Sequence, residues 1–288
     1  MEQAIINGLS EGSVYAILAV GLVFIHKITE VANFAQGEIA MVATFVGFSL
    51  SQRLGFPLAL VFLGSIAFGA VIGYAVERCA VRPVLASGIL GTTIVTLGLY
   101  FVLHGSAAAI WGPEVHTFPS FFDPAPMSIA GVLVSKQHAS IMAVSLLTAV
   151  GLSAFLRFTD LGLALRAVPQ NRIGARIIGL DLKRLYAFTW VLGSAISAMA
   201  GLLLAPVLFL NTNMMLAPLI KAFAAAVLGG LDSLLGAFIG GLLLGLVENI
   251  VVLYVSSYLK DSLAFVFILV MLLVQPRGLF GRVRKENV

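Results

Sequence analysis

"NFAQGE", Asn33 to Glu38, separates two oily runs, "SVYAILAVGLVFI" (residues 13–25) and "IAMVATFVGFSL" (residues 39–50). An amide left unpaired in hydrocarbon costs on the order of several kcal/mol. The hexapeptide must therefore lie at a membrane surface or line a wet, protein-walled break between helices. A helix over 38–50 would rise only about 20 Å, short of the roughly 30 Å hydrocarbon core, and this favours the break. A helix that starts inside the membrane aims backbone N–H groups and a partial positive charge at whatever precedes it. Such a place suits a substrate carboxylate or a polar group passing through. Asn33 and Gln36 can donate or accept hydrogen bonds, and Gly37 allows close backbone approach. Glu38 either complements the helix dipole or lines the pathway.

Composition places the whole chain in the same solvent. Of 288 residues, 60% are hydrophobic and 10% charged, with a mean hydropathy of +1.07. Soluble domains carry roughly a quarter charged residues. Several stretches run about 20 residues without a charge, the length of a membrane-crossing helix. They are continuously apolar rather than alternating, which excludes a β-barrel. The expected fold is all-α, a polytopic membrane helix bundle in one domain over residues 1–288. "MEQAIINGLSEG" has no basic residue ahead of its apolar run, so no cleaved signal peptide is expected. The single cysteine, Cys79, leaves no internal disulfide and no metal cluster.

The apolar runs predict spans over 4–26, 38–50, 56–77, 89–110, 139–156, 186–209, 234–254 and 262–274, with a half-crossing over 218–230. That gives eight or nine crossings, some of them broken or half-length. Twelve of the 17 basic residues fall in three connections on one side: 157–185, 78–88, and the tail with Arg277, Arg282, Arg284 and Lys285. The positive-inside rule makes these cytoplasmic, with the C-terminus inside and, for nine crossings, the N-terminus outside. The pI near 9.4 thus reports topology rather than nucleic-acid affinity. Lys27 and Lys221 stay unassigned. The loop 111–137, with four prolines, reads as a compact irregular extracytoplasmic segment, either a cover for the bundle or a docking surface.

Gly193, Ser197 and Gly201 recur every fourth residue, as do Gly236 and Gly240, and Gly241 and Gly245; small residues at this spacing let helices approach closely in lipid. "LNTNMMLAPLIK" (residues 210–221) forms a second interruption before a short segment. Paired interruptions of this kind point to a transport pathway built from discontinuous helices. Glu11 and Glu248 fall inside spans, where an acid either serves the pathway or closes an interhelical hydrogen bond. Glu11, Glu248 and His104 read as isolated ionisable groups. In the connection 157–185, Pro169 suits the first turn of a helix and Gly179 the residue after its end. Ile173, Ile177 and Leu180 form one stripe beside Arg172 and Arg176. This predicts an amphipathic helix of about 10 residues, either a headgroup anchor or a peg for a soluble partner.

"GLALRAVPQNRIGARIIGLD" followed by "GSAISAMAGLLLAP" resembles the cytoplasmic coupling region of the branched-chain amino acid ABC transporter permease family. "VANFAQGEIAMV", "KAFAAAVLGGLDSLLGAFIGGLLLGLVE" and the "QPRGLFG" ending are similar to further motifs of that family, in the same order and over nearly the whole chain. Asp232 stands at a family glycine and Leu235 at a family proline. The resemblance is to the member of the permease pair without a long N-terminal extension. It implies a non-enzymatic subunit of an ATP-driven importer in a bacterial cytoplasmic (inner) membrane, working by alternating access. Its implied substrates are branched-chain or related hydrophobic amino acids; urea, short amides or aromatic acids are the alternative within the family. Its implied partners are a second related permease, two ATP-binding cassette subunits, an extracytoplasmic substrate-binding protein and the lipid bilayer. Arg166, Gln170, Asn171, Arg172 and Arg176 would then frame the ATPase contact, and the stretch Asn33, Phe34, Gln36, Gly37 and Glu38 would border the pathway.

The chain has no G-x-x-x-x-G-K-[ST] loop, so no cofactor is expected and ATP would be bound by partners. An ion-coupled carrier would want paired intramembrane charges. An intramembrane hydrolase would need Ser13 or Ser194 with His104, and a lone serine in a helix more often bonds back to its own backbone.

Overall fold

The computed structural model describes residues 1–121, 126–129, 132–256 and 259–281. Arg282, Arg284 and Lys285, and parts of the 111–137 loop, lie outside the described residues. Among the described residues the regular structure is helical apart from one hairpin. The helices are α1 (Glu2–Thr29), α2 (Gln36–Gln52), α3 (Leu58–Val76), α4 (Arg82–Val84), α5 (Gly88–Trp111) and α6 (Lys136–Phe158). After them come α7 (Asp160–Ala167), α8 (Arg172–Ile177), α9 (Leu182–Leu208), α10 (Leu216–Gly229), α11 (Leu234–Tyr254) and α12 (Lys260–Val274). Each expected span has its helix. Residues form two compact units: Met1–Val23, Asp123–Val150 and Leu219–Val288 in one, Phe24–Phe122 and Gly151–Pro218 in the other.

Through the connection 78–88 the chain continues as a π turn (Glu77–Val81), α4 and a 3-10 turn (Leu85–Ser87). Pro83 has no N–H for the i→i−4 ladder, and the wider π turn before it absorbs that loss. The same turn brings residues five apart together, so Arg82 grips Glu77 with two hydrogen bonds, Nε to Oε1 (3.0 Å) and Nη2 to Oε2 (2.5 Å). Gly88, at φ +74°, then turns the chain into α5. The loop 111–137 is not irregular throughout: β1 (Pro126–Ile129) pairs antiparallel with β2 (Val132–Ser135), a run rich in β-branched residues. A further correction concerns α8.

In the unit Phe24–Phe122 and Gly151–Pro218, α2 and α3 pack on α9. Gly201 sits against the Ala40 carbonyl and Thr44 of α2, so a Cβ there would collide with backbone. In the other unit, Gly8 and Gly12 of α1 face Gly245 and Gly241 of α11, with a built Cβ 2.9 and 2.7 Å from the opposing carbonyls. Small residues every fourth position on both helices allow that approach. The "QPRGLFG" segment folds back on α10: Leu279 and Phe280 N–H groups donate to the carbonyls of Leu228 (2.8 Å) and Gly229 (3.1 Å), satisfying a helix end that has no partner of its own. Leu63, Phe101, Leu147 and Leu273 are among many large apolar side chains left exposed, as expected where the outer solvent is lipid.

Candidate functional site

The break begins where α1 ends. The Thr29 hydroxyl donates back to the Ile25 carbonyl (2.7 Å), and Glu30 adopts φ +61°, a conformation few non-glycine residues take. Residues 30–33 are non-helical, and α2 starts only at Gln36. Contacts with α5 place this stretch along its neighbour. The Thr96 hydroxyl donates to the Ala32 carbonyl (3.1 Å), His104 lies beside Glu38, and the Trp111 indole donates to Ser49 (2.8 Å). At 1.5 Å per residue, Thr96 is about 12 Å and His104 about 24 Å from the start of α5. Ala32 to Glu38 therefore occupies the middle third of a helix long enough to cross a membrane.

Asn33, Gln36, Gly37 and Glu38 are buried, and Phe34 half-buried. Asn33 Oδ1 accepts the Ala35 N–H (3.1 Å), the local bond that turns the chain into α2. Its Nδ2, and both Gln36 Nε2 and Oε1, have no hydrogen-bond partner among the described residues. Glu38 Oε2 is 3.4 Å from His104 Nδ1, within ion-pair reach but not aligned as a hydrogen bond. Tyr100 stacks on the His104 ring (centroids 5.8 Å apart, 15° between planes) and so orients it. This is a buried polar cluster with spare donors and acceptors, an uncommon arrangement in a folded interior.

The other two candidate acids sit in the unit containing residues 1–23 and 219–288, and neither is isolated, contrary to the expectation from sequence. Glu248 (0% exposed) accepts at Oε2 from the Tyr15 hydroxyl (3.0 Å) and from the Lys221 ammonium (3.2 Å), which also lies 3.2 Å from Oε1. Lys221 reaches Asp261 as well (3.1 Å) and sits over the Tyr15 ring. Glu11 pairs with Lys260 (2.7 Å) and accepts from Asn249 (3.0 Å). The sequence left Lys221 unassigned because its partners are 27 and 206 residues away; no local pattern carries that pairing. "GLSEG", residues 8–12, has the letters of a G-x-S-x-G nucleophile elbow. It lies inside α1 with its glycines seated on α11, without the strand-to-helix turn that exposes a nucleophile.

In the 157–185 connection, the expected helix of about 10 residues from Pro169 is only the six-residue α8, and α7 lies upstream of it. Val168–Gln170 is a turn, and α8 starts later because Asn171 Oδ1 caps it through the Gly174 N–H (2.8 Å). Gly179, at φ +86°, ends it as expected. Ile173 and Ile177 of the expected stripe are 73% and 79% exposed and face outward, as does Ile178 (72%), whereas Leu180 is half-buried. Gln170, Asn171 and Arg176 are exposed. Arg166 is half-buried, with Nη2 3.5 Å from the Arg157 carbonyl. Arg172 turns inward to Glu30 Oε2 (3.0 Å) and the Thr29 carbonyl (3.3 Å).

Residues 4–274 match the family model described as branched-chain amino acid transport system / permease component. The chain is 33% identical over 301 residues to the high-affinity branched-chain amino acid transport system permease protein LivH of Escherichia coli K12, covering 99% of this chain and 97% of that one. It is 32% identical over 299 residues to the corresponding BraD protein of Pseudomonas aeruginosa, with coverage of 99% and 97%. A chain of the solved structure "PsaBC from Streptococcus pneumoniae in complex with Fab" superposes with a TM-score of 0.49 at 15% identity, covering 96% of this chain and 92% of that one. A broken helix with an under-satisfied polar lining, long apolar helices around it and a full-length match to one family converge, and the chain belongs to the branched-chain amino acid transport system permease family.

Proposed function

We propose that this chain is one permease subunit of an ATP-driven importer for branched-chain or related hydrophobic amino acids. It works by alternating access, with ATP bound and hydrolysed by separate cassette subunits. The LivH and BraD relatives carry branched-chain amino acids in their names, and that supports the substrate class. Urea, short amides or aromatic acids are the alternative. The expected assembly adds a second related permease, two cassette subunits and an extracytoplasmic binding protein, with the chain acting as one permease domain whose C-terminus faces the cytoplasm.

One observation carries the mechanism. Arg172 of α8 holds Thr29 and Glu30, six residues before Gln36, and so connects the exposed α8 surface to the break by a short run of backbone. A cassette subunit gripping Gln170, Asn171 and the exposed face of α8 that Arg176 frames would move α8, drag the end of α1 through Arg172, and shift the Asn33–Glu38 lining from one side to the other. Arg172→Glu with Arg176→Glu should abolish stimulated ATP hydrolysis in the assembled complex. Arg172→Glu combined with Glu30→Arg, which restores the pair reversed, should recover part of it. Unchanged stimulation in the double arginine variant contradicts the coupling role.

An ion-coupled carrier is the second reading, favoured by one finding: the intramembrane acids are paired, Glu248 with Lys221 and Glu38 with His104. Co-purification separates the two, since the importer arrives with cassette subunits and a sister permease, whereas a carrier arrives alone.

A further inference from the structure

A cavity of about 370 Å³ lies at the end of the Phe24–Phe122 and Gly151–Pro218 unit where α1 ends and α5 and α9 begin. Its size falls within the range of small-ligand pockets, about 300–1,000 Å³. Three guanidinium groups line it, from Arg82, Arg172 and Arg176, together with Glu30, Tyr186 and Ile89. Two of the cations are matched: Arg82 by Glu77 and Arg172 by Glu30. Arg176 has no ion pair among the described residues, and Arg172 Nε is buried without a hydrogen-bond partner. The lining therefore holds one cation more than the carboxylates beside it can neutralise, and one donor, Arg172 Nε, that lacks an acceptor.

The chemistry at the mouth narrows the occupant. Ile89 and Leu90, at the first turn of α5, are both 75% exposed. From Leu90 the exposed side chains Ile94, Leu97 and Phe101 continue at steps of four, three and four, one apolar stripe along the helix. A basic cavity at one end of a lipid-length apolar stripe matches a molecule with an anionic head and hydrocarbon tails. Basic pockets between membrane helices bind such headgroups, and guanidinium forks suit phosphate oxygens.

We propose that this cavity holds the phosphodiester of an anionic phospholipid, with Arg176 and Arg172 Nε as its donors and the acyl chains on the α5 stripe. The occupant sits against the Arg172–Glu30 pair, so lipid composition would bear on that contact whatever solute the transporter carries.

The test uses the full chain, purified with the subunits that accompany it, in nanodiscs of phosphatidylcholine doped with phosphatidylglycerol, followed by native mass spectrometry of retained lipid. Wild type should retain phosphatidylglycerol in preference to phosphatidylcholine. Arg176→Glu should lower that enrichment at least about fivefold, the factor for one juxtamembrane charge. Arg53→Glu, at the far end of α2, should leave it unchanged. If Arg176→Glu fails to assemble, Arg176→Gln is read instead and should lose about the single-charge factor. Equal enrichment in wild type and the Arg176 variant overturns the proposal. Displacement of the lipid by millimolar inorganic phosphate overturns it too, since the site would then be one for free anions.

Discussion

Two clusters of polar side chains lie deep in this apolar chain, one in each unit, and they are built on opposite terms. Around Glu248 the charges are answered: Oε2 takes the Tyr15 hydroxyl and the Lys221 ammonium, Lys221 also meets Asp261, and Oε1, though without an aligned hydrogen bond, lies 3.2 Å from the same ammonium. Around Gln36 the groups are equally buried and largely unanswered, with both atoms of its amide and Asn33 Nδ2 lacking partners among the described residues. In a low-dielectric interior a satisfied network rigidifies, while an unsatisfied one is costly unless something visits it. The first cluster thus reads as a clamp joining α1, α10, α11 and α12, and the second is consistent with the pathway lining proposed above. Burial and residue type alone do not distinguish the two clusters. Their hydrogen bonds do.

The largest effect that would break this comparison falls on the clamp. Lys221→Met strands a buried carboxylate and should cost about 3 kcal/mol or more of stability, seen as a lowered unfolding midpoint in detergent. Lys221→Met with Glu248→Met should recover most of that loss, because removing both charges removes the unmatched one. A double variant no better than the single would show that the pair is not self-contained.

Gln36→Leu sharpens the other side. It deletes two unpaired polar atoms, so the unfolding midpoint should hold or rise, while uptake falls about tenfold through a lost hydrogen bond to the passing solute. A fall in stability with uptake intact would place Gln36 among the structural residues. The smallest effect belongs to Glu11→Gln. Its pair with Lys260 is about one-third exposed on each side, and such pairs contribute less than about 1 kcal/mol, so both stability and uptake should stay near wild type.

What could be read from the letters follows from the range of the signal. Apolar runs act locally, and the helix over 234–254 has the bounds that its run implied. The existence of the break was legible for the same reason, since amides cannot sit in hydrocarbon, but its bounds were not: it falls at residues 30–35, and α2 already holds Gln36, Gly37 and Glu38 and runs on to Gln52. Side-chain caps and π turns depend on neighbours within a few residues yet compete closely. Asn171 won over Pro169 as the start of α8, and the π turn before Pro83 was not foreseen. Lys221 with Glu248 and Tyr15, and Arg172 with Glu30, were beyond reach, because partners on separate helices leave no spacing to recognise.

The most direct measurement of the central claim is aqueous access to the break. With Cys79 replaced by serine, Gln36→Cys should react with a membrane-impermeant thiol reagent from one side of the membrane without nucleotide and from the other when the cassette subunits are closed on ATP. Glu248→Cys, carried with Lys221→Met to keep the site neutral, should stay unreactive in both states. No reaction at position 36 in either state, or equal reaction at 36 and 248, would contradict the account.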